Sequence, residues 1–121
     1  MPEIEINVLD NVYTVIYSFS MFTIKRTNIF IDWLKGLKDR RAVARIAMRV
    51  DRFESGNPGH VRDIGDGVSE MKIDYGPGYR VYYVRRGNMI YLLLCGGDEQ
   101  TQNRDIAEAK RIAKEWKDEE N

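Results

Sequence analysis

Glu70, Lys72, Arg80 and Tyr82 are the residues of this 121-residue chain whose types and spacing could do chemistry together. Val68, Glu70, Lys72 and Asp74 alternate with Ser69, Met71 and Ile73, and side chains two apart on a strand share a face. Beyond Gly76-Pro77-Gly78, Arg80, Tyr82 and Val84 alternate with Tyr79, Val81 and Tyr83; glycines supply positive φ to such a turn and proline fixes its own. The pattern predicts a β-hairpin with charge on one face and core on the other. A three-residue loop sets Lys72 opposite Tyr82 and Asp74 opposite Arg80, and so gathers a carboxylate, two cations and a phenol on one surface. A two- or four-residue loop would turn Arg80 toward Ile73 and the core, where an unpaired guanidinium is costly, so an odd-length loop is expected. On that surface Arg80 can grip a phosphate through its planar fork. The plainer alternative is a surface arginine paired with Asp74 or Glu70. Glu70 is either a base or an ion-paired, orienting carboxylate between Lys72 and Arg80.

The charge distribution points the same way. Lys and Arg number 19, as do Asp and Glu, so the formal net charge is zero. Every Lys and Arg falls between Lys25 and Lys117, whereas six acids lie outside that span, which leaves the body at +6. A basic body with acidic ends suits a polyanionic ligand; the alternative is a solubilising charge mix. The single Cys95 ends the apolar run Met89-Ile90-Tyr91-Leu92-Leu93-Leu94-Cys95 and reads as a buried structural thiol in a reducing compartment. One histidine and one such cysteine make no Cys/His metal cluster, and no HExxH or DxDxDG spacing occurs. Gly96-Gly97 is too short to argue for a phosphate loop, so neither a metal nor a nucleotide cofactor is expected. No apolar stretch approaches the ~20 residues that span a bilayer, and no signal-peptide pattern opens the chain. A cytoplasmic protein without a membrane segment is therefore expected.

The elements that must position these residues follow from periodicity. Met21-Phe22-Thr23-Ile24-Lys25-Arg26 reads as a strand, and Thr27 or Asn28 can cap a helix whose Phe30, Trp33, Leu34 and Leu37 share one face. Asp39 can cap a second helix with a core stripe of Val43, Ile46, Val50 and Phe53 and with Arg40, Arg41, Arg45, Arg49 and Arg52 on its other faces. The helix breakers Ser55-Gly56-Asn57-Pro58-Gly59 close it. The hairpin comes next, then a turn at Arg85-Arg86-Gly87-Asn88, then the apolar run, whose lack of alternation predicts a central strand covered on both faces. Asp98 can cap a final helix carrying Ile106, Ala109, Ala113 and Trp116 on one side. The order is strand, two helices, three strands, helix: an α+β domain over 21–118. Residues 1–20 stand outside this plan and read either as an extra edge strand or as a poorly ordered extension upstream of a start at Met21.

Taken in order, Met21-Phe22-Thr23-Ile24, Trp33-Leu34, Leu37-Lys38-Asp39, Ala44-Arg45-Ile46, Gly56-Asn57, the Gly65-Asp66-Gly67-Val68-Ser69-Glu70 stretch, Gly76-Pro77-Gly78-Tyr79-Arg80-Val81-Tyr82 and Leu93-Leu94-Cys95-Gly96-Gly97-Asp98 resemble the addiction-module killer proteins. These are a HigB-like branch of the RelE/ParE toxin superfamily. The resemblance implies two N-terminal helices and one C-terminal helix packed on a small, mostly antiparallel sheet of about four strands. It implies a type II toxin neutralised by a helix-turn-helix antitoxin from the adjacent gene. Many members cut messenger RNA on the ribosome, without a metal, by attack of the ribose 2′-hydroxyl on the adjacent phosphate. The alternatives are ParE-like inhibition of DNA gyrase without nuclease activity, and a degenerate toxin that retains antitoxin binding.

Cleavage of this kind needs a base, an acid and positive charge at the phosphorane. The resemblance implies that Arg80, in the Gly-Tyr-Arg motif, with Lys72 and Glu70, forms the catalytic group. Arg62, Tyr82, Thr101, Gln102, Asp98 and His60 are the implied RNA-binding set. Tyr82 could stack on an unpaired base or simply pack in the sheet. His60, a residue type that changes charge near neutrality, stands where the family commonly has an acid. Glu99 stands where a lysine is often found, which removes a cation from the site. Asp98 could equally be a helix cap.

Overall fold

The computed structural model describes residues 4–7, 14–17, 23–87 and 90–120. The elements are β1 (Ile4–Asn7), β2 (Thr14–Tyr17), β3 (Thr23–Arg26), α1 (Asn28–Gly36), α2 (Arg40–Glu54), β4 (Val61–Asp63), β5 (Val68–Ile73), β6 (Tyr79–Arg86), β7 (Ile90–Gly97) and α3 (Gln102–Glu120). Strands β3 to β7 form one mixed sheet in the order β3-β7-β6-β5-β4, and β1 and β2 pair with each other in a second, two-stranded sheet. The fold is α+β, with three helices and five strands in the main sheet.

The structure adds detail to three of these expectations. The loop carrying Arg62 contains β4, which pairs antiparallel with β5 and adds a fifth strand to the four anticipated. Strand β3 pairs parallel with β7, while the other ladders of the sheet are antiparallel. Within 1–20, the segment expected to be an edge strand or an extension, β1 and β2 pair antiparallel with each other; the rest of that segment, and Met21 as a start, lie outside the described residues.

Local chemistry explains the helices. Thr27 caps α1 through its hydroxyl, which accepts from the Phe30 amide at 3.0 Å and donates to the Leu94 carbonyl at 2.6 Å, so the cap also fastens α1 to β7. Asp39 caps α2 by accepting from the Arg41 and Ala42 amides, and Tyr75 donates its hydroxyl to the same carboxylate at 3.0 Å. Burial works against the charged Asp39 carboxylate, but these three bonds outweigh it and hold its pKa below the ordinary value. The buried stripe of α2 is Ala42, Ile46, Val50 and Phe53; Val43, expected in it, is half-buried.

The sheet has a core on each face. Against α1 and α2 pack Met71, Ile73, Tyr79, Val81, Tyr83, Tyr91 and Leu93, with Phe30, Ile46 and Phe53. Against α3 pack Val68, Tyr82, Val84, Leu92, Leu94 and Cys95, with Ala109, Ile112 and Ala113. The apolar run is thus an interior strand covered on both faces, as its lack of alternation implies, although β6 rather than β7 occupies the centre. Cys95 is buried as expected, and burial, with the Asp105 and Glu108 charges, pushes its thiol up to about 12.

Candidate functional site

In the ladder, Lys72 lies opposite Arg80 and Glu70 opposite Tyr82, two residues out of the expected register. The loop spans 74–78, held by bonds from the Tyr75 amide to the Ile73 carbonyl and from the Gly78 amide to the Tyr75 carbonyl, with Gly76 and Gly78 at positive φ. A slip of two residues preserves side-chain parity, so the four residues still share a face.

That face is divided along its length. Ala109 and Ala113 are small enough to let α3 settle on Tyr82, which has no exposed surface. The expectation that Tyr82 stacks on a base is therefore corrected: its ring is core. Its hydroxyl is buried beside Glu70 and makes no hydrogen bond of normal geometry. Burial, and then the Glu70 charge, raises its pKa well above the ordinary phenol value. Two rows of residues cross the strands at the charged end of the face. Arg62, Glu70 and Tyr82 run across β4, β5 and β6. Beside them the Lys72 amide donates to the His60 carbonyl at 3.1 Å, Lys72 faces Arg80, and Arg80 faces Gly97.

Glu70 is the hub. Its carboxylate is 4% exposed as a residue and lies 3.2 Å from Arg62 and 3.5 Å from the Arg80 Nε, and it accepts from the Gln102 amide at 2.9 Å. Arg80 is buried as well, which overturns the expectation of an exposed arginine; it is tolerated because it is paired with Glu70 and donates to the Gly78 carbonyl at 2.8 Å. The carboxylate therefore holds the two guanidiniums and Gln102 in place, matching the orienting alternative. Lys72 stands at the rim, half-exposed, 3.6 Å from Asp74.

His60, Val61, Arg62, Glu70, Lys72, Arg80 and Gln102 line one cleft of about 260 Å³. Six of the nine expected site residues are brought together there. Asp98 and Thr101 are not among its lining residues; they build the turn into α3. Asp98 accepts from the Gln100 and Thr101 amides at 2.9 and 3.2 Å, ahead of a helix that begins at Gln102. Thr101 donates to the Asp105 carboxylate. Asp105, buried and not among the residues expected from the sequence, fits because Gly97 has no side chain: a Cβ there would collide with its carboxylate. That approach seats the start of α3, and with it Gln102, over the cleft.

A wider groove, lined by Arg45, Met48, Arg49, Arg52, Asn57, His60, Lys72 and Asp74 among others, shares His60 and Lys72 with the cleft. Its arginines recur at i, i+4 and i+7 on α2, along the flank of the apolar stripe, a signal present in the sequence that periodicity alone assigns only to polar faces. Among the described residues no three His, Cys, Asp or Glu side chains are placed to hold a metal ion, and no helix is long and apolar enough to cross a membrane.

No family model matches the chain, and no solved structure matches it. It is similar to an uncharacterized protein of Haemophilus influenzae, at 46% identity over 92 residues, covering 76% of this chain and 93% of that protein.

Proposed function

This chain belongs to the same family as the Haemophilus influenzae protein, and we propose that it is the toxin of a type II toxin-antitoxin module of RelE/ParE type, a ribosome-dependent messenger-RNA endonuclease. The observation that supports this reading is the convergence of Arg62, Lys72, Arg80 and His60 around one buried carboxylate in a small polar cleft. Two guanidiniums held by Glu70, with the Lys72 ammonium at the rim, outnumber the one carboxylate and leave the cleft positive, the condition for holding a phosphodiester and for stabilising the extra charge of its transition state.

In this mechanism the ribose 2′-oxygen attacks the adjacent phosphorus, and the bond to the 5′-oxygen breaks. Arg80 and Arg62, aligned by Glu70, meet the phosphoryl oxygens, and Lys72 at the rim adds a mobile ammonium. His60 and Lys72 line the cleft outside the Glu70 network and are the groups available to carry the proton from the 2′-hydroxyl to the leaving oxygen. The toxin acts in the cytoplasm, where its ribosomes are, and a helix-turn-helix antitoxin from the neighbouring gene restrains it. Co-expression and pull-down test that partnership.

Primer extension on a reporter message in a purified translation system tests the activity. Lys72→Ala is the informative variant because Lys72 is only partly buried, so its loss leaves the core intact. Cuts that require ribosomes and fall by about a hundredfold in the variant are expected. Intact message would reject the nuclease, and loss of gyrase supercoiling alongside it would favour the ParE-like alternative.

A further inference from the structure

We infer that the groove between α2 and β5 is a second phosphate site, which grips the RNA backbone next to the phosphate held in the cleft. The inference rests on the nuclease reading for its ligand, but its own support is independent. The groove encloses about 580 Å³ and is lined by Arg45, Arg49, Arg52 and Lys72 against the single carboxylate of Asp74. Because His60 and Lys72 line both spaces, a strand lying in the cleft runs directly into the groove. Arg45 and Arg52 are seven residues apart, about 10 Å along a helix, which is a path rather than a point.

These cations differ in their pairing from several on α3. On α3, Lys110 meets Asp66 at 3.5 Å, and Arg111 meets both Glu108 and Glu115 at 2.6 Å. On α2, Arg45 and Arg52 are exposed and make no ion pair among the described residues; Arg45 lies over the Tyr75 ring at 4.6 Å. Burial, and then the Arg52 charge, pulls the Arg49 guanidinium below its ordinary value. Concentrated, unneutralised charge of one sign in a groove is what a polyanion relieves. Arg49 has a separate duty: it donates to the Pro58 carbonyl at 2.9 Å and the Lys72 carbonyl at 3.3 Å. It thereby ties the His60 loop and the Lys72 strand to α2, a positioning residue at the junction of the two spaces.

The test is the salt dependence of binding to a labelled single-stranded oligoribonucleotide, measured by anisotropy for the whole chain. Each phosphate contact to a single strand contributes about 0.7 to the slope of log K against log salt. The double variant Arg45→Gln/Arg52→Gln should lower that slope by roughly 0.7–1.4 and weaken binding at low salt. A charge-matched control on α3, Arg104→Gln/Lys114→Gln, should leave the slope near wild type. An unchanged slope in the α2 variant, or an equal fall in the control, would overturn the second site while leaving the nuclease reading intact. A reduced slope in a protein that cuts no message would keep the site and reject the nuclease. Competition by polyglutamate as strong as by RNA would also overturn it, in favour of an acidic protein partner.

Discussion

The two faces of the sheet are built differently, and the contrast locates the site. Helices α1 and α2 cover one face with an uninterrupted aromatic and aliphatic core, in which Phe53 lies edge-on to Tyr83 and Tyr91 at centroid distances of 4.6 and 4.4 Å. The other face is covered by α3 alone. Its apolar contacts involve Ala109, Ile112 and Ala113, while in its first turn Gln102 meets Glu70, which is paired with Arg80. One helix cannot roof a whole sheet face. The corner it leaves contains a buried charge network, where an apolar core would otherwise be required. Such a network adds little net stability compared with apolar packing, yet breaking it is costly.

Substitutions on the two faces sharpen that contrast. Phe53→Ala should cause the largest loss, about 3–5 kcal/mol, because it opens a cavity under Tyr83 and Tyr91; urea unfolding followed by circular dichroism measures it, and a loss under 1 kcal/mol would show that this face is not the main core. Glu70→Gln should cost about 3 kcal/mol, since it keeps the shape but leaves Arg80 buried opposite a neutral amide. The double variant Glu70→Gln/Arg80→Met should recover part of that loss. If the double variant is less stable than the sum of the single changes, the network is not the origin of the cost. Tyr82→Phe should be the mildest at neutral pH, within about 1 kcal/mol, because the hydroxyl it removes makes no normal hydrogen bond.

The same tyrosine carries a pH signature. Burial and the Glu70 charge raise its pKa in the folded protein, so its protonated form is favoured by folding. That contribution is fully present below the unfolded value of about 10 and is lost as pH rises beyond it. Melting temperatures followed through that range should fall less steeply for Tyr82→Phe than for the wild type. Parallel curves would show that the phenol ionises as freely in the fold as outside it.

Much of this architecture is legible from local patterns. The apolar spacing of α1 and α2, the Asp39 and Thr27 caps, the double-sided burial of Ile90–Gly97 and the shared face of Glu70, Lys72, Arg80 and Tyr82 all follow from periods of 3.6 and 2 and from capping chemistry. Strand β4 escaped because three residues, Val61–Asp63, are too short for periodicity to register. The hairpin register slipped by two because parity constrains the faces of a ladder and not the length of its loop.

The burial of Tyr82 and Arg80, the release of Asp98 and Thr101 from the cleft, and the arrival of Gln102 at Glu70 depend on where α3 crosses the sheet. Gly97 and Asp105, eight positions apart, set that crossing through a contact no sequence period encodes. Residue type and alternation were enough to put an arginine, a lysine and a glutamate on one surface. Which of them faces water, and which is locked beneath a helix, was settled by packing between distant segments, because burial is a property of neighbours in space and not along the chain.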